Sequence, residues 1–432
     1  MRTGFPHTQV AGSYAGSRPS SDPRHAGDGL RVAIVSQDDY PSIGEVRPRK
    51  LATSLREHGH HVSILCWNSR KRPVVEDLGY ATVHRFSYAL RSGMYRLLSA
   101  PSPLNPLWVL FVLRMARRER ADLLISSNLR IALPVILAGR LLGTPVILDL
   151  QENNPEVVKL YPRTRSWHYI MRSSLLVLWL ERLCIMLAEH VWVVVDERLD
   201  ALPAKLKRGG RISVLCHSPA LDELPPERGQ EKAGPFSLIF IGLFSPGVGS
   251  LELILRSLPH VIRRDDDIRL IVGGGRQMEP LVEELGIRDH VHFAGVIRPE
   301  DVMRWLQQGS VGIIAYDVSQ FTNTTISVKL FQYMGAGLAV LSTPMRPTRR
   351  VVEEARCGVI LPEDATEEQV AEIILSLKNS PEEVAAMGQR ARRAVLSGYN
   401  WNHEFEHALR TMRTLASRKR GTPSESAVAD PA

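Results

Sequence analysis

The chain has 432 residues, of which 44% are hydrophobic and 23% are charged. These values are typical of a folded protein with two domains of ordinary size, and they exclude a collagen, a coiled coil or a disordered chain for most of the sequence. The formal net charge is +8 at pH 7, but no run of five or more basic residues occurs. We therefore expect no nucleic-acid partner, whereas a phosphate-bearing ligand or an anionic membrane surface suits the charge.

The cysteines and the termini indicate the cellular compartment. The four cysteines are far apart in the sequence, which excludes a zinc site and a disulfide framework and predicts reduced, buried thiols. They are Cys66, Cys184, Cys216 and Cys357. Residues 1–29 lack the apolar core of a signal peptide, and we expect this segment and residues 417–432 to be disordered tails. The expected location is the cytoplasm.

Two apolar stretches, residues 106–115 and 174–195, are candidates for membrane contact. The first has only ten residues, and Glu181, Arg182 and Glu189 interrupt the second. Neither has the ~20 consecutive apolar residues that a spanning helix needs. We expect buried helices of a globular domain, and peripheral contact of an apolar, basic helix with the inner face of the membrane is the alternative.

In chain order, the first half of the sequence alternates between apolar, β-branched strands and helices. The predicted strands are residues 30–36, 61–67, 123–126, 146–150, 191–195 and 212–215, and the predicted helices include 47–58 and 132–142. Residues 222–235, rich in proline, glycine and charged side chains, then break the pattern and read as a linker. This alternation is typical of a doubly wound parallel sheet.

A second alternation follows the linker. Its predicted strands are residues 237–241, 268–272, 292–294, 312–315 and 339–341, and its predicted helices are 251–263, 278–285, 299–307, 328–335 and 367–376. The predicted fold class is α/β, with two tandem Rossmann-like, doubly wound domains, 30–221 and 236–400, that face a central cleft. Ligands of such sheets bind beyond the carboxyl ends of the strands.

Several common site motifs are absent. No G-x-G-x-x-G follows either first strand, no Gly-Lys dipeptide occurs, and there is no H-E-x-x-H, which argues against a nicotinamide-dependent dehydrogenase, a P-loop enzyme and a zinc protease. The Asp-x-Asp pattern at Asp265–Asp267 lies in a turn between a helix and a strand. We expect this turn to be solvated, and we expect no metal site and no cofactor.

Three segments indicate a ligand site. A turn at residues 41–45 contains Gly44, which allows the chain to approach a ligand closely. The polar segment LDLQENNPE (148–156) stands directly beyond a buried strand. The loop TNTTIS (322–327) feeds a helix whose first turn contains Lys329. Because a cation opposes the dipole at a helix N-terminus, Lys329 is expected to face an anion, and Gln332 lies one turn deeper on the same face.

These segments resemble those of the retaining GT-B glycosyltransferases of the family-4 type. The residues VKLFQYMGAGLAVLST (328–343) are similar to the family's Lys-Leu-Phe-Glu-Tyr-Met motif, and 271–317 is similar to its donor-domain pattern. DLQE (149–152) occupies the place of an Asp-x-His-Glu motif, and Trp401 begins the segment, predicted as a helix over 401–416, that crosses back to the N-terminal domain. The resemblance covers residues 30 to 416.

The resemblance implies transfer of a sugar from a nucleotide-sugar donor to a small-molecule or lipid-linked acceptor, with no metal and with the N-terminal domain on the acceptor side. It implies that Gln151 and Glu152 are catalytic. The implied donor-binding residues are Gly44, Gly242, Arg276, Val296, Ile297, Asn323, Thr324, Thr325, Ser327, Lys329 and Gln332. Among them, the backbone of Val296 and Ile297 would meet the base, and Gln332 the ribose.

The chain departs from the family pattern in its charges. Two glutamates that are usual in the family are Thr324 and Gln332 here, and the usual Arg and Lys after the first donor-domain strand are absent from the loop 242–249. Lys329 and Arg276 are the candidates to meet the diphosphate charge. Two alternatives stay open: a non-catalytic GT-B-like scaffold, and a sugar-nucleotide epimerase that would use Glu45 and Glu152. The base and sugar of the donor, the acceptor and the oligomeric state stay undetermined.

Overall fold

The computed structural model describes residues 29–42, 46–87, 102–160, 173–207, 209–227, 235–242 and 251–420. Two sheets organise the chain, one on each side of the predicted linker. The strands of each sheet are predominantly parallel and buried, as their runs of valine, isoleucine and leucine predict. The predicted fold, two tandem Rossmann-like domains, is confirmed.

The N-terminal sheet has eight strands in the order β3-β4-β2-β1-β5-β6-β7-β8. They are β1 (Arg31–Val35), β2 (His61–Cys66), β3 (Val75–Asp77), β4 (Thr82–Arg85), β5 (Leu123–Ser126), β6 (Val146–Leu150), β7 (His190–Val193) and β8 (Ile212–Val214). Strand β1 pairs in parallel with β2 on one side and with β5 on the other. The strand order therefore reverses direction between β1 and β5, which makes this the switch point of the sheet.

Helices cover both faces of the N-terminal sheet. They are α1 (Val46–Glu57), α2 (Pro106–Arg118), α3 (Ala132–Leu142), α4 (Asn154–Leu160), α5 (Ser174–Leu187), α6 (Asp196–Asp200) and α7 (Ala204–Lys207). One apolar core joins the sheet to α2, α3 and α5, and the opposite face packs against α1 and the last helix of the chain. None of the helices that the structure describes has both the length and the apolar character needed to cross a bilayer.

The C-terminal sheet has six strands in the order β11-β10-β9-β12-β13-β14. They are β9 (Phe236–Gly242), β10 (Ile268–Gly274), β11 (Val291–Gly295), β12 (Val311–Ile314), β13 (Ala339–Ser342) and β14 (Gly358–Ile360). The helices after the linker are α8 (Glu252–Ile262), α9 (Glu279–Glu284), α10 (Val302–Leu306), α11 (Val328–Gly335), α12 (Arg346–Ala355), α13 (Glu367–Lys378), α14 (Pro381–Ser397) and α15 (Trp401–Arg420).

Helix α15 returns from the C-terminal domain to the N-terminal sheet. The indole Nε1 of Trp401 donates to Ser54 Oγ at 2.9 Å, and its backbone N–H donates to Pro219 O at 2.9 Å. The carboxylate of Glu404 accepts from the backbone N–H of Cys216 at 3.1 Å. The helix ends at Arg420, four residues beyond the end predicted from the sequence. These contacts fasten the two domains together where the chain crosses between them.

All four cysteines are buried and unbridged, as predicted. The Asp265–Asp267 turn is also as predicted, since Asp265 pairs with Lys378 and Asp266 and Asp267 are exposed. This turn precedes β10 and therefore lies at the amino end of the sheet, away from the cleft. No group of three or more His, Cys, Asp or Glu that could hold a metal ion occurs in the part of the chain that the structure describes.

Candidate functional site

Lys329 lies at the carboxyl end of β9, in the first turn of α11. Its Nζ donates to Tyr316 Oη at 2.6 Å and lies 4.7 Å from the centroid of the Phe240 ring and 4.9 Å from that of Tyr316. A Cβ atom added to Gly242 would overlap the end of this lysine. The ammonium therefore occupies the space that the missing side chain of Gly242 leaves, and two predicted donor-binding residues are in contact.

Glycines also bring the ends of β9 and β10 together. Gly274 has φ +133°, and a Cβ there would overlap the backbone oxygen of Gly242. A Cβ on Gly273 would overlap the side chain of Ile297, another predicted donor-binding residue. Its neighbour Val296 is 81% exposed. Gly242, Ile297 and Lys329 thus surround one short stretch of backbone beyond the strand ends, where ligands of such sheets bind.

The loop before α11 is held by its own side chains. Thr325 Oγ1 donates to Phe321 O at 2.9 Å, and Asn323 Oδ1 accepts from the backbone N–H of Arg346 at 2.9 Å. Ser327 precedes α11 but its side chain makes no capping hydrogen bond; its Oγ lies 3.4 Å from Tyr316 Oη. The loop side chains that were predicted to bind the donor are therefore engaged with other groups of the protein, both within the loop and at the start of α12.

The two domains meet at Thr324. Asn153 Nδ2 donates to Thr324 Oγ1 at 2.7 Å, and this hydroxyl donates in turn to Gln320 O at 2.7 Å. Asn153 is 3% exposed and Thr324 is 2% exposed. The contact joins the segment after β6 to the loop before α11, so the sites that were predicted separately in the two domains do adjoin each other.

The carboxyl end of β6 carries a buried acidic side chain. Asp149 lies 3.6 Å from Arg47 Nε and accepts from Gln151 Nε2 at 3.1 Å. Burial raises the pKa of Asp149 to about 6, although Arg47 and the Gln151 hydrogen bond lower it in part. Gln151 also donates to Ser127 O at 3.1 Å, so its amide bridges the ends of β5 and β6.

Glu152 differs from these buried neighbours. Its side chain is accessible to solvent, yet the protein around it raises its pKa by desolvation. An accessible carboxyl that is surrounded in this way is typical of a residue in a cleft. It stands next to Asn153, directly beside the contact between the domains, and is accessible to a ligand there.

Other predicted residues lie apart from these contacts. Arg276 is exposed and pairs with Glu279 at 3.0 Å, one turn along the chain. Gln332 is half-buried, and its amide has no hydrogen-bond partner among the described residues. Gly44 and Glu45 lie outside the described residues. The prediction missed Tyr316, which follows β12 and holds Lys329, and Arg47, whose partner Asp149 is 102 positions away in the sequence.

Solved structures with the same architecture are glycosyltransferases of the GT-B fold. Sucrose-phosphate synthase from Thermosynechococcus elongatus matches with a TM-score of 0.68 at 17% identity, over 90% of this chain and 100% of that one. Anabaena HepE, solved in complex with UDP and glucose, matches with a TM-score of 0.65 at 12% identity, over 89% of this chain and 100% of that one. At these identities the likeness establishes the fold.

Two family models of glycosyltransferases match the sequence. The model "Glycosyl transferase 4-like domain" matches residues 44–216, and "Glycosyl transferases group 1" matches residues 235–379. Between them they cover most of the chain. The protein therefore belongs to the glycosyltransferases, and the predicted enzyme class is confirmed.

Curated relatives match over part of their length. Spore coat protein SA of Bacillus subtilis is 26% identical over 200 residues, which are 44% of this chain and 51% of that protein. A phosphatidyl-myo-inositol mannosyltransferase of Mycolicibacterium smegmatis is 21% identical over 221 residues, which are 51% of this chain and 54% of that protein. The chain thus spans about half the length of these curated relatives.

Proposed function

We propose that the protein transfers a sugar, with retention and without a metal, from a nucleotide-sugar donor to a small-molecule or lipid-linked acceptor. The observation that carries the proposal is the Lys329 ammonium, which fills the space beside the α-carbon of Gly242 at the carboxyl end of β9. A cation there faces the place where the C-terminal domain of this fold would receive a diphosphate. HepE, which has the same fold, was solved with UDP.

The chemistry would depend on charge stabilisation and orientation. As the bond between the sugar and the diphosphate breaks, negative charge develops on the leaving group, and Lys329 would stabilise it. The leaving diphosphate itself would receive the proton of the acceptor. Glu152, in the N-terminal part of the cleft, would orient the acceptor.

The outer surface of α3 and α5 supports a lipid-linked acceptor. Leu175, Trp179, Leu183 and Met186 form one exposed stripe along α5, and Trp179 is 69% exposed. The acidic residue of α5, Glu181, is buried against Arg198, and α2 and α3 contain none. An apolar surface whose exposed charges are basic suits peripheral contact with an anionic bilayer.

Sedimentation with vesicles tests this surface. The protein should bind phosphatidylglycerol vesicles better than phosphatidylcholine vesicles, and Trp179→Ser should weaken the binding. Leu396→Ser, which alters an exposed leucine on α14 in the C-terminal domain, is the matched control. Equal binding of both variants would remove the support that α5 gives to a lipid-linked acceptor.

A nucleotide panel tests the transferase proposal. Calorimetry with UDP, GDP, ADP and TDP should identify one preferred nucleoside diphosphate, and the matching nucleotide sugar should then be consumed in the presence of an acceptor. EDTA should leave this activity unchanged. Loss of activity in EDTA with recovery in Mn²⁺ would contradict metal independence. Binding without turnover would favour a scaffold, and conversion of the sugar without an acceptor would favour an epimerase.

A further inference from the structure

Arg130 lies at the switch point of the N-terminal sheet. It follows β5, whose neighbour β1 is followed by Gln37 and Asp38. Chain connections leave β1 and β5 in opposite directions, which is the arrangement that forms a crevice beyond the strand ends in sheets of this kind. In open α/β sheets ligands bind in the crevice at such a point.

The backbone that carries Arg130 is fixed to β1. Ser127 donates to Val35 O through both its backbone N–H and its Oγ, each at 3.0 Å. Asn128 Oδ1 accepts from the backbone N–H of Arg130 at 2.9 Å. Ser126 Oγ donates to Asn128 O at 3.1 Å. The side chain of Arg130 therefore extends from a rigid turn.

The guanidinium of Arg130 has no counter-ion within the described part of the chain. Its Nε is buried without a hydrogen-bond partner, and it forms no ion pair with any residue that the structure describes. The buried arginines of this domain each have a carboxylate beside them: Arg47 adjoins Asp149, Arg85 lies 3.5 Å from Asp39, and Arg198 pairs with Glu181. Arg130 is half-buried and has no carboxylate within ion-pair distance among the described residues. A guanidinium is costly to remove from water unless an anion accepts its hydrogen bonds.

The surroundings of Arg130 narrow the ligand chemistry. Burial lowers the pKa of Arg130, and the exposed carboxylate of Asp38 opposes this effect from beyond ion-pair distance. The buried Oε1 of Gln37, on the facing strand end, also lacks a hydrogen-bond partner among the described residues and could accept from a hydroxyl. An anionic group with a neighbouring hydroxyl would satisfy both side chains, against some repulsion from Asp38.

We propose that Arg130 is an anion-binding residue of the acceptor subsite, and that the acceptor carries a phosphate or carboxylate beside a hydroxyl group. This inference rests on the proposed transferase function, because it assigns the N-terminal side of the cleft to the acceptor. The donor diphosphate is the other anion of the reaction. Its place is with Lys329, on the opposite domain, and the experiment separates the two sources.

The test uses the full chain with glycerol phosphate as the probe and glycerol as its uncharged control. With the donor site saturated by the preferred nucleoside diphosphate, glycerol phosphate should raise the melting temperature, and glycerol should not. Arg130→Gln should weaken glycerol phosphate binding about tenfold or more, the loss expected for a charged hydrogen bond. The variant should keep the nucleotide affinity of the parent, and Asp38→Asn should strengthen glycerol phosphate binding.

Control variants keep the outcome interpretable. Arg140→Gln, at an exposed arginine of α3, should change neither affinity. Arg130→Lys, which retains a positive charge, should retain part of the glycerol phosphate binding even where Arg130→Gln folds poorly. Glycerol phosphate binding that is absent in the parent, or unchanged in Arg130→Gln, would overturn the proposal. A loss of nucleotide affinity in Arg130→Gln would instead assign the residue to the donor diphosphate and also overturn it.

The same titration separates this inference from the proposed function. If none of the four nucleoside diphosphates binds, the transferase proposal fails, but glycerol phosphate can still be titrated into the nucleotide-free protein. Binding that depends on Arg130 there would support an anion site in a protein of another function. That result would overturn the acceptor assignment.

Discussion

Gly242→Ala should weaken nucleotide binding, because the added methyl group would displace the Lys329 ammonium and carries no charge of its own. A Cβ at this position overlaps the Lys329 ammonium, which would have to move by about 1.5 Å to reach ordinary contact distance. The moved ammonium would lose its hydrogen bond to Tyr316 and its alignment with the diphosphate. A charge-assisted hydrogen bond contributes about 1.5–3 kcal/mol, so we expect the Kd for UDP, or for the preferred nucleoside diphosphate, to rise about tenfold or more.

The fold should tolerate Gly242→Ala, because the atoms that the new Cβ overlaps are at the end of the flexible Lys329 side chain. The free energy of unfolding should fall by only about 1–2 kcal/mol, the contribution of the lysine's contacts with Tyr316 and Phe240. Gly274→Ala is the contrast: it overlaps the backbone oxygen of Gly242 and demands φ +133° of a residue with a side chain. It should cost about 3 kcal/mol or more of stability.

Calorimetry on a double-mutant cycle tests whether Gly242 affects nucleotide binding through Lys329. Lys329→Met should weaken nucleoside diphosphate binding but not nucleoside binding, and Gly242→Ala combined with Lys329→Met should bind no worse than either single variant, because both remove the same ammonium. Additive losses would show that Gly242 acts on the ligand directly. Unchanged affinity in Gly242→Ala would refute the placement of Lys329 at the diphosphate.

Three further predictions concern the cleft. Gln332→Ala should raise the Michaelis constant for the donor severalfold at unchanged melting temperature, and an unchanged Michaelis constant would show that Gln332 does not bind the ribose. Gln332→Glu should not restore activity, since it adds an anion without a cation. Asn153→Ala should leave the buried Thr324 hydroxyl without its donor and lower the free energy of unfolding by about 1–2 kcal/mol, whereas a stability equal to that of the parent would contradict the interdomain contact. Burial raises the pKa of Asp149 from 3.8 to about 6, so its contribution to folding is greatest below pH 3.8 and is lost as the pH rises through about 6. The stability of the parent relative to Asp149→Asn, measured by urea unfolding, should therefore fall by up to about 3 kcal/mol between about pH 4 and pH 7, and a difference that does not vary with pH would refute it.

The sequence predicted the buried strands well, because a strand buried on both faces must be continuously apolar. It missed the edge hairpin of β3 and β4: Val75–Asp77 has two acidic residues in three and its side chains are largely exposed, so its pairing with β4 leaves no apolar pattern. It also missed α12 and β14. Helix α12 (RPTRRVVEEA) has only four buried residues and reads as polar chain.

The site was predictable only where its parts are adjacent in the sequence. Lys329 and the loop before it are adjacent in the sequence and form one motif. Once the fold was predicted, their position near the carboxyl ends of the strands was predicted with it. The contacts of Thr324 with Asn153 and of Asp149 with Arg47 join residues that are 171 and 102 positions apart. The sequence around these four residues does not indicate which residue each of them contacts. The pairing depends on how the two domains pack against each other and on how α1 packs on the sheet.

The contact at Thr324 gives a physical reason for one departure from the family pattern. A glutamate at this position would bring a carboxylate into a space that is 2% exposed and already contains the carbonyl oxygen of Gln320. Burial and a neighbouring acceptor both disfavour that charge. A threonine hydroxyl instead donates to Gln320 and accepts from Asn153, which satisfies all three groups. Gln332 is uncharged as well, so Lys329 has no carboxylate among its described contacts to compete with a diphosphate. One cation can therefore bind the diphosphate where the family pattern has a larger set of charges of both signs.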